Sequence, residues 1–187
     1  MMLKKLVILV LSLTALSGHA EIKNQQKVLD GLLVRAGVMG QRPLTDSELL
    51  HLCEQGFGHA YSLYGPRNKS IECSRGVIHY SGSKDFRTPG DMNRILEDIR
   101  SGLSSKQKTF VHCNNGAHAS GFVAAIVLRT FCGMSAEKAI SYWQSTLNGY
   151  PLQEPNRTSL MNRIRNYPIR QDLELSAGEK QAFGCPM

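Results

Sequence analysis

The sequence predicts a single α/β domain, and three observations carry that expectation. Short apolar runs of strand length alternate with longer stretches of helical periodicity, the pattern of a sheet sandwiched by helices. No internal repeat, low-complexity run or interdomain linker divides the 187 residues, and that length builds one domain with a proper core. Between Thr109 and Phe131 an apolar strand, a polar turn and an apolar helix follow one another directly, the alternation of an α/β sandwich.

The elements follow in chain order. Met1–Ala20 has two lysines, an apolar run from Leu6 to about Leu16, and the ending Gly18-His19-Ala20. That is the pattern of a secretory signal peptide cut after Ala20; the run is well short of the ~20 residues a membrane-spanning helix needs. The absence of a cysteine near the cut argues against a bacterial lipoprotein. Removing 20 of the 187 residues leaves 167, and with Lys4 and Lys5 gone the formal charge falls from +7 to +5. A modest basic excess suits an anionic ligand but does not by itself indicate nucleic-acid binding. The expected divisions are a signal peptide at 1–20, a folded domain at 21–170 and a polar, weakly patterned tail at 171–187.

After a polar entry over Glu21–Lys27, Leu32-Leu33-Val34 reads as the first strand. Thr45 supplies an N-cap with an acidic first turn for a helix carrying Leu49, Leu50 and Leu52, which Gly56 closes. His59–Leu63 and Val77–Tyr80 read as strands, joined by a polar, Gly/Pro-punctuated connection. Thr88-Pro89 opens a second helix with Met92, Ile95, Leu96 and Ile99 at helical spacing and Gly102 as its stop. The strand Thr109–Val111, the turn Cys113–Ser120 and an apolar helix from Gly121 to about Phe131 come next. Ser135 starts a helix running to Asn148, on which Tyr142 and Trp143 are expected to pack into the core. A last helix begins near Glu154 or Pro155 and carries Leu160, Met161 and Ile164.

Five cysteines remain after cleavage: Cys53, Cys73, Cys113, Cys132 and Cys185. An exported chain is free to form disulfides, and the odd count leaves at least one thiol unpaired in a monomer. The pairing is not readable from the sequence. No CxxC or paired-histidine spacing occurs, so neither a metal nor a cofactor is expected.

The chemistry concentrates in the stretch FVHCNNGAHASG, Phe110–Gly121. A cysteine sits directly between a strand and a helix, where backbone N–H groups form an anion nest reinforced by the helix dipole. The same field favours a thiolate, making Cys113 a candidate nucleophile. Gly116 lets the loop bend where a side chain would obstruct it.

This stretch resembles the HCxxGxxR[S/T]G signature of the cysteine-dependent tyrosine and dual-specificity phosphatases, matching at His112, Cys113, Gly116, Ser120 and Gly121. Leu33–Gly37, Leu44–Leu50 and Glu54–Phe57 resemble the N-terminal block of compact dual-specificity phosphatases. Ser120–Ala125 and Gly133–Ala139 resemble the helix pair after their loop. The ordered set covers about residues 31–150 and implies the compact dual-specificity-phosphatase fold, a central sheet flanked by helices with the phosphate-binding loop between a strand and a helix. By this resemblance Cys113 would attack phosphorus, His112 would brace the loop, and Ser120 would stabilise the sulfur as it leaves. Asn114, Asn115, Gly116, Ala117, His118 and Ala119 would surround the phosphate. A general acid would protonate the departing oxygen from a loop ~30 residues before the cysteine. Asp85 is the first choice and Asp91, on the following helix, the second.

One departure is serious: Ala119 stands where the signature has arginine. That guanidinium would clamp two phosphoryl oxygens at once, and such clamps are worth ~10³–10⁵ in rate. His118, Lys84 and Arg87 are the nearest substitutes in sequence. The expectation is therefore an exported phosphatase-like protein, periplasmic or secreted, that holds a phosphorylated or otherwise anionic ligand, small molecule or phosphoprotein. Its hydrolysis through Cys113 would be weak or lost. An active phosphatase using a substitute cation and a redox-active thiol protein are the alternatives. Nucleic acid and, after cleavage, membrane are not expected partners, and the sequence does not specify an oligomeric state.

Overall fold

The computed structural model describes residues 22–147 and 149–186; the expected signal peptide lies outside them. Six strands form one mixed sheet in the order β1-β2-β6-β3-β5-β4. They are β1 Ile22–Val28, β2 Leu33–Val38, β3 Phe57–Ser62, β4 Asn68–Cys73, β5 Gly76–Gly82 and β6 Lys108–Cys113. The four inner strands run parallel, and β1 and β4 close the two edges antiparallel.

The helices are α1 Asp46–Glu54, α2 Pro89–Ser105, α3 His118–Cys132, α4 Ala136–Ser145, α5 Asn156–Asn166 and α6 Ala177–Ala182. They divide the core in two. On one face α1 packs Leu49 and Leu52 against Val34, Ala36, Ala60, Ile78 and Phe110. On the other, α2 and α3 pack against Leu33, Tyr61 and Val111, and α4 and α5 pack against α3. Strands covered on both faces read as continuous rather than alternating apolar runs, which is why Leu32–Val34 and Phe110–Val111 stand out in the sequence. This is the expected sheet flanked by helices.

Local chemistry sets several boundaries. Thr45 and Glu48 form a reciprocal capping box at the start of α1, satisfying two donors that the first turn leaves free. Pro89 occupies the first turn of α2, where its missing N–H costs nothing. Gly102 does not stop α2, as its composition suggests; the helix continues to Ser105 and Lys106 takes the left-handed cap. Gly102 is there for proximity: a Cβ would stand 2.4 Å from the Gln107 carbonyl oxygen.

Two strands have no counterpart in the sequence reading. β1 falls largely within the polar entry before Val28, and the polar connection before Val77 contains β4. Both are edge strands held mainly by backbone ladders, so neither needs an apolar stripe. Cys53 on α1 bonds to Cys73 at the end of β4, and Cys132 at the end of α3 bonds to Cys185. The second bridge, together with buried Leu173 and Leu175 and the Leu175 N–H donating to the Phe131 carbonyl at 3.0 Å, binds the polar C-terminal segment to α3. Cys113 is left as the free thiol.

Candidate active site

The alternation of β6 sorts its last residues onto opposite faces. His112 points toward the α1 side, 1 % exposed, with its Nε2 2.9 Å from the Tyr80 hydroxyl. That hydroxyl accepts the Leu44 N–H at 3.1 Å. Burial pushes the His112 imidazole down to about 4, so it is neutral at pH 7 and ties the loop's entry to β5 and the start of α1. Cys113 faces α3 and is 2 % exposed. Its Sγ lies 3.4 Å from the Ser120 Oγ, the contact expected of a hydroxyl that steadies the sulfur.

Between them the loop is held by its carbonyls. Asn24 on β1 donates its Nδ2 to the Asn115 carbonyl at 3.1 Å, and Arg35 on β2 donates to the Gly116 carbonyl. The Ala117 carbonyl accepts the Gly121 N–H at 3.0 Å; the Thr146 hydroxyl beside it, 3.3 Å away, donates to the Trp143 carbonyl at 2.6 Å. The His118 carbonyl accepts the Trp143 indole N–H at 3.1 Å. In a trans peptide the carbonyl and the next N–H point opposite ways. Four consecutive carbonyls tied to the scaffold therefore turn the four following amides away from it, as an anion nest requires.

Close approach makes this possible. Gly116 has φ 69°, and a Cβ on it would stand 2.6 Å from the Gly37 nitrogen; a Cβ on Gly37 would stand 2.6 Å from the Asn115 carbonyl carbon. Asn114 is steadied separately, its Oδ1 accepting the Gln41 N–H at 3.2 Å.

A cavity of about 400 Å³ opens beside the loop, lined by Tyr64, Lys84, Asp85, Arg87, His118 and Ala119 among others. It brings the expected acid, the three expected substitute cations and the position of the missing arginine into one space. A larger cavity of about 620 Å³ lies at the opposite end of the sheet and touches none of them. Ala119 is 3 % exposed and presents only a methyl group. The His118 ring is committed elsewhere, its Nε2 2.6 Å from the Tyr150 carbonyl. Arg87 is committed to Asp85, with its Nε 2.6 Å and its backbone N–H 3.1 Å from Oδ1.

Burial alone would raise the Asp85 carboxyl, but the hydrogen bonds and charge of Arg87 bring it below the ordinary carboxylate range. A general acid needs the opposite shift. Asp91 accepts from the Ser83 hydroxyl at 2.8 Å and the Asp85 N–H at 3.0 Å, so it orders the Asp85 loop from the first turn of α2. Tyr64 also faces the site. Its phenol is pushed up by burial and then by the Cys113 charge, while the Asn114 amide acts the other way.

Asn24, Tyr64, Tyr80 and Thr146 carry no role in the sequence reading. Arg35 alone had a visible signal, a single cation inside the apolar run Leu32–Val38. Trp143 is a core residue as expected, fully buried, and it also holds the loop.

This architecture, with its cysteine turn between β6 and α3, is the fold of the tyrosine and dual-specificity phosphatases. The chain is similar to the active form of Tk-PTP, at 18 % identity and TM-score 0.53 over 78 % of this chain and 99 % of that one. It is similar to the human tyrosine phosphatase-like serine/threonine/tyrosine-interacting protein, at 18 % identity and TM-score 0.53 over 76 % and 94 %. Human DUSP28 aligns at 13 % identity and TM-score 0.51 over 75 % and 91 %. No protein-family model and no curated protein sequence matches the chain.

Proposed function

We propose that this is an exported phosphatase-fold protein that holds phosphate-bearing ligands in the Cys113–Ser120 loop and hydrolyses them weakly or not at all. The observation that carries the reading is the loop's asymmetry. Its carbonyls at 115–118 all accept hydrogen bonds, from Asn24, Arg35, the Gly121 N–H and Trp143, which leaves an amide cradle suited to an oxyanion. Yet Ala119 brings no cation, and Asp85 is held ionised by Arg87. Binding needs only the cradle; turnover needs a clamp and a proton donor as well. One structure that the chain resembles is itself described as tyrosine phosphatase-like and interacting.

Two disulfides support export, since such bonds persist in oxidising compartments. A redox role for Cys113 is disfavoured, because the other four cysteines are paired and Cys113 is buried.

Calorimetry with inorganic phosphate, sulfate and phosphotyrosine tests binding, and initial rates on an aryl phosphate test turnover against a Cys113→Ser control. Submillimolar to millimolar binding with little or no turnover above the control is expected. No binding at millimolar ligand sinks the reading, and turnover typical of phosphatases replaces it with the enzymatic one.

A further inference from the structure

Arg35 poses a charge problem. It is fully buried, and a guanidinium stays charged at any ordinary pH. One terminal nitrogen donates to the Gly116 carbonyl, the other to the Gln26 side-chain oxygen across the β1–β2 pair. The Nε has no partner among the described residues. Every other arginine that forms an ion pair here does so at the surface or its margin; Arg35 has no carboxylate beside it among the described residues. A buried charge with only neutral partners is costly, and the cost is relieved when an opposite charge arrives nearby.

We propose that Arg35 is the resident cation of the loop: seated behind Gly116, it retains an oxyanion in the Cys113–Ser120 cradle in place of the arginine absent at 119. This rests on the reading of the loop as an anion seat and adds the source of its charge. Arg35 does not touch the ligand. It acts through the Gly116 peptide, fixing the carbonyl so that the Ala117 N–H faces the other way, and through its uncompensated field. A guanidinium below the loop is also outside the position from which a clamp follows the moving phosphoryl group. It favours bound anion without favouring the transition state over it, which is uniform binding and raises no turnover rate.

Gln26→Glu tests this directly, because it places a carboxylate where Arg35 already donates. Thermal melts without phosphate and calorimetric titration with inorganic phosphate at pH 7 are the two readouts. The variant is expected to melt higher than the wild type yet bind phosphate about tenfold more weakly, the weight of one unit charge ~10 Å away at an effective dielectric of ~20. Gln26→Leu removes the hydrogen bond without adding charge, and is expected to melt lower while keeping wild-type affinity within about twofold.

A residue that only supports the fold would move stability and affinity in the same direction. Phosphate affinity of Gln26→Glu within twofold of wild type overturns the proposal. So does a Gln26→Glu protein less stable than wild type, since a carboxylate beside an uncompensated guanidinium must stabilise it. Failure of the wild type itself to bind phosphate removes the anion seat and the proposal together; wild-type binding with an unaffected Gln26→Glu removes Arg35 alone.

Discussion

Restoring the arginine by Ala119→Arg should separate the two deficits of the site. Ala119 sits in the first turn of α3 and its methyl group forms part of the wall of a cavity of about 400 Å³, so a longer side chain has room to enter beside the loop. A guanidinium there would supply the transition-state clamp, worth ~10³ to 10⁵ in rate. The second deficit remains, because Asp85 is still held ionised by Arg87 at 2.6 Å, and a missing general acid costs ~10² to 10⁴. The two losses fall on different substrates. A nitrophenolate leaves without protonation, whereas an alkoxide does not. Ala119→Arg alone should therefore raise kcat/KM on para-nitrophenyl phosphate by ~10³ or more and leave an alkyl phosphate such as phosphoserine near background. Adding Arg87→Ala releases Asp85 and should recover part of the alkyl rate. Initial rates between pH 5 and 8, with Cys113→Ser carried through each background, read this out. If Ala119→Arg binds phosphate but its aryl phosphatase rate equals that of its Cys113→Ser counterpart, Cys113 is not placed to attack and the argument from the clamp is wrong.

Three further outcomes follow from the geometry. His112 titrates near 4 in the fold against an ordinary 6.5; the unfolded chain takes up its proton first as pH falls, so stability is complete above about 6.5 and declines toward 4. That decline is ~2 kcal/mol by pH 5. The urea midpoint should drop accordingly between pH 7 and 5, and His112→Gln should abolish the drop. Glu48, held down to about 2 by Arg42 and Thr45 despite burial, adds a loss only below about pH 4.5, so a midpoint flat from 7 to 5 would refute the His112 assignment. The disulfides close segments of 20 and 53 residues, worth ~3 and ~4 kcal/mol by chain entropy; non-reducing peptide mapping should find Cys113 as the free thiol, and reduction should lower Tm markedly. Gly37→Ala puts a methyl group 2.6 to 2.9 Å from three atoms of the loop backbone. It should cost ~1–3 kcal/mol of stability and weaken phosphate binding about tenfold in a protein that still folds by circular dichroism.

The chain shows its chemistry more openly than its scaffold. The cysteine turn was legible because an anion-binding nucleophile demands particular residues at fixed spacing, and His112, Cys113, Gly116 and Ser120 meet that demand within one short segment. The start of α1 was legible because Thr45 and Glu48 satisfy each other locally. The inner strands were legible because burial on both faces leaves an unbroken apolar run. β1 was not, since IKNQQKV has no apolar alternation and its pairing partner lies in another strand. The supports of the loop were illegible for the same reason. Asn24, Arg35 and Trp143 stand 25 to 91 positions away from the carbonyls they hold, and no local pattern marks a contact of that range. Gly102 misled because glycine ends helices and also permits close approach, and composition does not say which.

The distribution of these supports explains why the missing arginine leaves the loop intact. A signature arginine would serve the phosphoryl group, whereas the loop here is shaped by donors on β1, β2, α3 and α4 that do not involve position 119. Loss of the clamp therefore takes away transition-state stabilisation without unbuilding the ground-state site. The mirror case sharpens the point: a change at Asn24 or Gly37 should spoil binding whether or not residue 119 is arginine. In Ala119→Arg, phosphate affinity should respond to Gly37→Ala as it does in the wild-type background. Comparing the two single variants with the double variant by calorimetry measures that coupling. A coupling near zero keeps cradle and clamp as separate devices; a coupling larger than ~1 kcal/mol would mean that the clamp helps shape the loop, and that Ala119 weakens binding as well as turnover.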